Sequence, residues 1–179
     1  MKLVLVRHGQ SEGNLKEEIN DDPARVVNLT AQGRIQAARA AQRLRGMAFT
    51  HAYASQFARA QQTAAIILQG RALALGVDAR LNERRSGMDG QHVERFNGLV
   101  RADPLQTKPP HGESFIEQMA RLKRFLDEIA VRHPHGLVLA VSHENPILAA
   151  MALTAEDPEA VVRGGLVNCE AVELIWPAD

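Results

Sequence analysis

The sequence predicts an α/β fold, a three-layer α/β/α sandwich around a mostly parallel central sheet. Two observations carry this. Leu3-Val4-Leu5-Val6 and Leu137-Val138-Leu139-Ala140-Val141 are short, uninterrupted apolar runs, as in strands covered on both faces. Capped helical patterns alternate with such runs, and that alternation puts parallel strands in one sheet with helices on either side. The 179 residues suit a single domain, 1–179, in which about 70% of the extended-chain surface is removable on folding.

Taken in order, Leu3 to Val6 is the first strand. Thr30 N-caps a helix carrying Ile35, Ala38 and Leu44, which Gly46 stops. Ala52-Tyr53-Ala54 is a weaker strand. Ser55 is expected to cap a second helix bearing Ala64, Ile67, Leu68 and Leu75. Val77 to Leu81 is a further weak strand. The least regular stretch, about 86–112, holds Pro104, Pro109 and Pro110 and reads as a lid or insertion. Ser114 with Glu117 forms a capping box ahead of Phe115, Met119, Leu122, Leu126 and Ile129, spaced at helical intervals. That helix ends at His133-Pro134-His135-Gly136. Pro146 is tolerated in the first turn of a helix running from about His143 into Leu153. Val172 to Trp176 is a late strand, expected at an edge, and the sequence then runs only to Pro177-Ala178-Asp179.

Composition excludes several functions. Lys plus Arg and Asp plus Glu both total 21, so the formal charge is zero. That balance argues against a general nucleic-acid binder or a polybasic membrane surface. Seven aromatic residues are too few for a base-stacking platform. One cysteine, Cys169, rules out an internal disulfide framework and a multi-cysteine zinc site. The apolar run Leu3 to Val6 is too short for a signal peptide or membrane span, so a cytoplasmic protein is expected.

In an α/β sheet, function sits beyond the carboxyl ends of strands. Arg7-His8-Gly9-Gln10-Ser11-Glu12-Gly13-Asn14 follows the first strand. Arg59 follows the second, Glu83 follows Leu81, and His143 follows Val141-Ser142. Two Arg, two His and a carboxylate at one rim suit phosphoryl transfer. Neutral imidazole is a nucleophile near pH 7. Guanidinium forks match phosphoryl oxygens and oppose their charge. A carboxyl kept protonated can give its proton to a departing alkoxide. Each residue taken singly has a plainer reading as a surface or structural side chain; their combination at four strand ends carries the inference.

The chain resembles the histidine phosphatase, or phosphoglycerate mutase-like, superfamily over essentially its whole length. The segment Arg7 to Asn14 matches the family's opening signature. Leu29-Thr30-x-x-Gly33, Ser55-x-x-x-Arg59-Ala60-x-Gln62-Thr63-Ala64, Gly112-Glu113-Ser114 and Val141-Ser142-His143 match later ones in order. The resemblance implies that His8 is the phosphorylated nucleophile and that Arg7, Arg59, His143 and Asn14 hold the phosphoryl group. Leu81-x-Glu83-x-x-x-Gly87-x-x-Gly90 resembles the segment carrying the proton donor, which makes Glu83 that residue. Gln10, Ser11, Arg84 and Glu144 are further candidates for substrate binding.

Two positions depart from the family pattern. Glu144 stands where glycine is common; it is read as a repulsive group, as a holder of a ligand amine or neighbouring Arg, or as a first-turn helix acid. Ser86 stands where an aromatic is frequent. Arg84, Arg85, Arg95, Arg101 and Lys108 around the lid hint at an anionic group beyond the phosphate, although a solvated face is the plainer reading.

Rival readings were weighed on the same residues. Gly9-Gln10-Ser11-Glu12-Gly13 matches the G-x-S-x-G nucleophile elbow, which would make Ser11 an acyl nucleophile with His143. That fold needs an oxyanion-hole strand first, and six residues precede Arg7. His133-x-His135 is a poor metal pair, and no H-E-x-x-H, Walker A or G-x-G-x-x-G pattern occurs. The expectation is a phosphomonoesterase acting through phosphohistidine, with no metal and no cofactor, on a small phosphorylated substrate or, less readily, a phosphoprotein. The alternative is cofactor-dependent mutase-type phosphotransfer. It is disfavoured because a mutase must enclose its intermediate with lids that this length does not provide.

Overall fold

The computed structural model describes residues 1–177; Ala178 and Asp179 lie outside the described residues. Five strands form one sheet in the order β3-β2-β4-β1-β5: β1 Lys2–Arg7, β2 His51–Ala54, β3 Leu75–Val77, β4 Leu137–Ser142 and β5 Ala171–Ile175. Strands β1 to β4 pair in parallel, whereas β5 runs antiparallel to β1 at the edge.

Side-chain alternation divides the two faces. Leu3, Leu5, Val138 and Ala140 pack with residues of α5 (Phe115–Arg132) and α6 (Glu144–Ala152). Val4, Val6, Leu139 and Val141 pack with residues of α2 (Ala31–Arg43) and α3 (Ala58–Ile67). The continuous apolar runs are explained by this: both faces of the central strands are covered.

The helix caps follow the sequence in two cases and depart from it in one. Thr30 caps α2 by accepting from Gly33 N, and Ser114 with Glu117 forms the capping box of α5. Ser55 does not cap α3. Phe57 is the N-cap residue, with no side-chain cap, because the Ser55 hydroxyl is engaged elsewhere. Leu75 belongs to β3, not to α3. The expected strand Val77 to Leu81 is instead the end of β3 followed by a 3₁₀ turn, Ala79–Leu81, capped by Asp78. Three short helices carried no legible signal: α1 (Glu12–Leu15), α4 (Val93–Val100) inside the 86–112 segment, and α7 (Pro158–Val162).

One close approach governs the loop after β1. A Cβ on Gly33 would lie 2.0 Å from Gln10 O, and one on Gly9 would lie 2.4 Å from Gly33 O. The loop thus presses against the first turn of α2 with no space between backbones. Gly33→Ala is expected to cost about 1–3 kcal/mol, the usual range for overpacking. Gly98→Ala, in α4 with open space around the new Cβ, should instead be neutral or stabilise by up to about 1 kcal/mol. Urea melts of both variants test the contrast, and equal effects would refute it.

Candidate active site

The site is built on register. Arg7 and Ser142 are partners across β1 and β4, so the next residues, His8 and His143, emerge side by side at the carboxyl rim. Their rings lie 5.0 Å apart, edge to face, and both are buried. His8 Nδ1 is 2.7 Å from Gly9 O. A carbonyl only accepts, so Nδ1 carries the hydrogen and Nε2 is left with its lone pair.

Arg59, in the first turn of α3, runs between the two imidazoles. Its Nε donates to His8 Nε2 at 3.1 Å and its Nη2 to His143 Nδ1 at 3.2 Å. Guanidinium cannot accept, so His143 must carry its hydrogen on Nε2, which donates to Ser55 Oγ at 2.7 Å. Asn20 supplies both oxygens that hold the far side of the guanidinium: Oδ1 accepts from Nη1, and the main-chain O from Nη2 at 3.1 Å. Thr63 Oγ accepts from Gly9 N and donates to Arg59 O, pinning α3 to the β1 loop.

Arg7 is held differently. Its Nη1 donates to Leu166 O and its Nη2 lies 3.2 Å from Glu144 Oε2. Its Nε is buried with no partner among the described residues. Glu144 Oε1 also accepts from Leu166 N at 3.0 Å. Of the readings open for Glu144, the structure shows two together: it grips a neighbouring Arg, and it is the first-turn acid of α6.

Glu83 lines the same cavity, with its carboxylate accepting from Arg84 N at 2.8 Å. Burial pushes its pKa up, partly countered by that hydrogen bond and by the Arg59 charge, while Glu144 adds a smaller upward push. Burial, reinforced by the Arg59 charge, drives the pKa of both His8 and His143 well below the ordinary value. Burial also lowers Arg59, to about 10, and it stays a cation at neutral pH. The arrangement is thus a buried cation flanked by two neutral imidazoles, facing a carboxyl biased toward its protonated form.

Arg7, His8, Asn20, Arg59, Glu83 and Glu144 line a cavity of about 590 Å³, whereas His143 is fully buried and is not part of its wall. Asn14 and Ser11 also line it. Ser11 caps α1, accepting from Asn14 N and donating to Asn14 Oδ1 at 3.0 Å. The exposed Asn14 lines the cavity, and its Nδ2 amide makes no hydrogen bond among the described residues.

Residues 3–179 match the histidine phosphatase superfamily, branch 1. The chain belongs to that superfamily. Two relatives are 2,3-bisphosphoglycerate-dependent phosphoglycerate mutases. That of Mesorhizobium japonicum is 36% identical over 90% of this chain and 85% of its own, and that of Azorhizobium caulinodans 35% over 93% and 87%. Among solved structures, a mycobacterial glucosyl-3-phosphoglycerate phosphatase superposes with a TM-score of 0.82 at 25% identity, covering 99% of both chains. The chain is therefore an enzyme of a superfamily that includes both mutases and phosphatases.

Not every candidate reaches the cavity. Gln10 turns away: its N donates to Gln36 Oε1 and its own Oε1 accepts from Thr30 Oγ. Arg84 borders the cavity, yet its guanidinium is taken up by three carbonyls, Glu113 O at 3.1 Å, Pro104 O at 3.3 Å and Thr107 O at 2.8 Å. It ties the lid down, which corrects its expected place among substrate-binding groups. The elbow reading of Ser11 also fails, because its hydroxyl belongs to the α1 capping box and His143 Nε2 bonds Ser55. His133 lies stacked on His51 at 3.5 Å and bonds Tyr53. Its partner His51 opens β2, so the pair sits at the opposite rim of the sheet. Ser86, in the aromatic position, donates to Asp21 Oδ2 at 2.7 Å. Asn20, Ser55, Thr63 and Asn145 were not singled out for the site by the sequence. Ser55 and Thr63 lie in motif segments, but Asn20 lies in a loop with no pattern.

The buried histidines set the acid sensitivity of the fold. Below about pH 6.5 the unfolded chain takes up protons at His8 and His143 that the native state refuses, so stability falls with pH, by up to about 1.4 kcal/mol per pH unit for each. Glu83 works the other way. Its native carboxyl holds a proton at a pH where the unfolded one, at 4.5, has lost it. Between 4.5 and that raised value it adds stability as pH falls. Urea melts between pH 7.5 and 5 should show a steeper decline in Glu83→Gln than in wild type; parallel curves would contradict the raised pKa.

Proposed function

We propose that this histidine phosphatase is a phosphomonoesterase that works without metal, through phosphohistidine at His8, on a small phosphorylated substrate. The observation that carries the reading is the tautomer of His8. Gly9 O holds the Nδ1 hydrogen, so Nε2 keeps its lone pair, which accepts from Arg59 Nε at the cavity wall until a phosphoryl group draws that donor away. In the first step Nε2 bonds to phosphorus and the P–O ester bond breaks, with the electron pair leaving on the alcohol oxygen. Glu83 gives its proton to that oxygen. Arg59 passes its Nε donor from the His8 ring to a phosphoryl oxygen. Arg7 Nε and Asn14 Nδ2, both without protein partners, are the further donors, while His143, whose one N–H is engaged by Ser55, acts by holding Arg59 through Nδ1. In the second step water attacks phosphorus, the Glu83 carboxylate takes its proton, and phosphate leaves with His8 neutral again.

Mutase-type transfer is the second reading, favoured by the names of the relatives at 35–36% identity. A bisphosphorylated donor carries a second phosphate and a carboxylate, and the cavity fits it poorly. Beyond the His8 end its cations are already paired: Arg84 with carbonyls, Arg163 with Glu159 and Arg101 beside Glu94. Hydrolysis by water is the reading that needs no such contacts. The single cysteine is a free buried thiol, which supports a cytoplasmic setting, and among the described residues no helix is long and apolar enough to cross a membrane.

Quenched turnover of a labelled ester should yield acid-labile, base-stable phosphoprotein in wild type and in Ser11→Ala, and none in His8→Ala. Label that persists in His8→Ala would refute the nucleophile assignment. Glu83→Gln should slow the phosphorylation burst on an alkyl phosphate by about 10²–10⁴-fold. Nitrophenyl phosphate should suffer far less, since its phenolate departs without a proton; equal losses would exclude Glu83 as the donor. EDTA should leave the rate unchanged. Phosphoglycerate interconversion faster than phosphate release, with a bisphosphorylated donor present, would decide for the mutase.

A further inference from the structure

We propose that the outer half of the active-site cavity seats the body of an uncharged, largely apolar alcohol, so that the substrates are phosphomonoesters of aliphatic or aromatic alcohols without a second anionic group. This rests on the phosphomonoesterase reading and extends it to the substrate class.

The first support is shape. The cavity, about 590 Å³, is within the range of pockets that enclose a whole small molecule. The groups that hold a phosphoryl gather around His8, and a phosphoryl group fills only part of the volume; Asn97, Arg101 and Arg163 also line the remainder, beside an apolar strip. The rest is walled on one side by Val93, Phe96 and Val100 of α4, and on the other by Leu148 of α6 and Val162 of α7. Positions 93, 96 and 100 fall on one face of a helix. None of the α4 side chains is buried in the core. An apolar stripe that the core does not cover is instead turned to the cavity.

The second support is that this wall is fixed. The Arg84 guanidinium stacks on Phe96 at 5.2 Å and on Phe115 at 5.7 Å while its nitrogens bond carbonyls 104, 107 and 113. Phe96 is thereby tied to the first residue of α5, itself fully buried. Burial lowers the Arg84 pKa to about 10, so the strut stays charged at neutral pH.

The third support is charge. Arg163 is bonded to Glu159 through Nε at 3.0 Å and Nη2 at 2.6 Å, and Arg101 lies 3.8 Å from Glu94. Two carboxylates, Glu18 and Glu144, border the same cavity. Glu144 and Glu18 are in turn paired with Arg7 and Arg25, so a second anion on the substrate would meet charges already committed to one another. An apolar body meets matching surface, and each methylene that leaves water favours binding.

The test is a chain-length series, ethyl, butyl and hexyl phosphate, whose leaving alcohols differ little in basicity, with 3-phosphoglycerate as the dianionic-plus-carboxylate comparison. For wild type, kcat/KM should rise by up to about fourfold per methylene seated, with hexyl phosphate turned over faster than 3-phosphoglycerate. Phe96→Ala and Val100→Asn should flatten that slope. Calorimetric binding of ethyl- and hexylphosphonate reads the same wall without turnover, and if the variants do not fold, the wild-type series decides. Phosphate release that is flat with chain length, or faster from 3-phosphoglycerate, overturns the apolar seat and leaves the phosphatase standing. Chain-length-dependent phosphonate binding with no phosphate release from any ester overturns the phosphatase reading alone.

Discussion

The buried Arg59 cation is the constraint from which the rest of the site follows. A guanidinium out of water needs its donors satisfied, and here the partners are two imidazole nitrogens and the oxygens of Asn20. Because an arginine only donates, it dictates which nitrogen of each histidine carries no hydrogen. His8 presents Nε2, and His143 is turned so that Nε2–H meets Ser55. The same charge disfavours protonation of either ring, which keeps a nucleophile available at neutral pH. Glu83 contributes the nearby negative charge when ionised, and burial opposes that ionisation. One cation thus fixes both histidine tautomers, while burial, acting against that cation, biases the carboxyl opposite.

Arg7 shows the cost of holding a second cation at the same end. Glu144 and the Leu166 carbonyl take two of its nitrogens and leave the buried Nε without a partner among the described residues. The acid at the start of α6 is therefore a clamp on Arg7 and on the loop ahead of β5, and its negative charge adds to the upward push on Glu83. Binding a phosphoryl group must compete with this clamp, since Glu144 and the substrate both carry negative charge near one guanidinium. Glycine at that position would leave Arg7 freer and Glu83 easier to ionise.

The lid is held by side chains that look like substrate ligands in the sequence. Arg84 bonds three carbonyls, Arg121 and Arg85 converge on the buried Glu113, and Arg25 bridges Glu18 and Asp89. Asp21 receives Ser86 and Gly87. These contacts fasten 84–113 to the scaffold at both ends and leave α4 between them with its apolar stripe toward the cavity. Basic residues near a phosphate site are thus mostly structural here, because the irregular backbone of the segment offers carbonyls that need donors.

Local patterns determined much of this protein. The apolar runs specified β1 and β4 because both faces of those strands are buried. The caps at Thr30 and Ser114 specified where α2 and α5 begin, since a hydroxyl can satisfy an exposed helix N–H from its own neighbourhood. The motif segments placed His8, Arg59, Glu83 and His143 after successive strands, and a parallel sheet brings such positions to one rim. What the sequence could not decide is what depends on partners distant in the chain. Ser55 has the form of a cap and bonds a histidine 88 residues away. Gln10 and Arg84 have the form of ligands, but Gln10 Oε1 is taken by Thr30 and every nitrogen of the Arg84 guanidinium bonds a carbonyl of the lid. Asn20, in a loop without periodicity, orients Arg59. Hydrogen bonds and charge pairing depend on distance and direction in space, and neither is defined until the sheet register and the lid are in place.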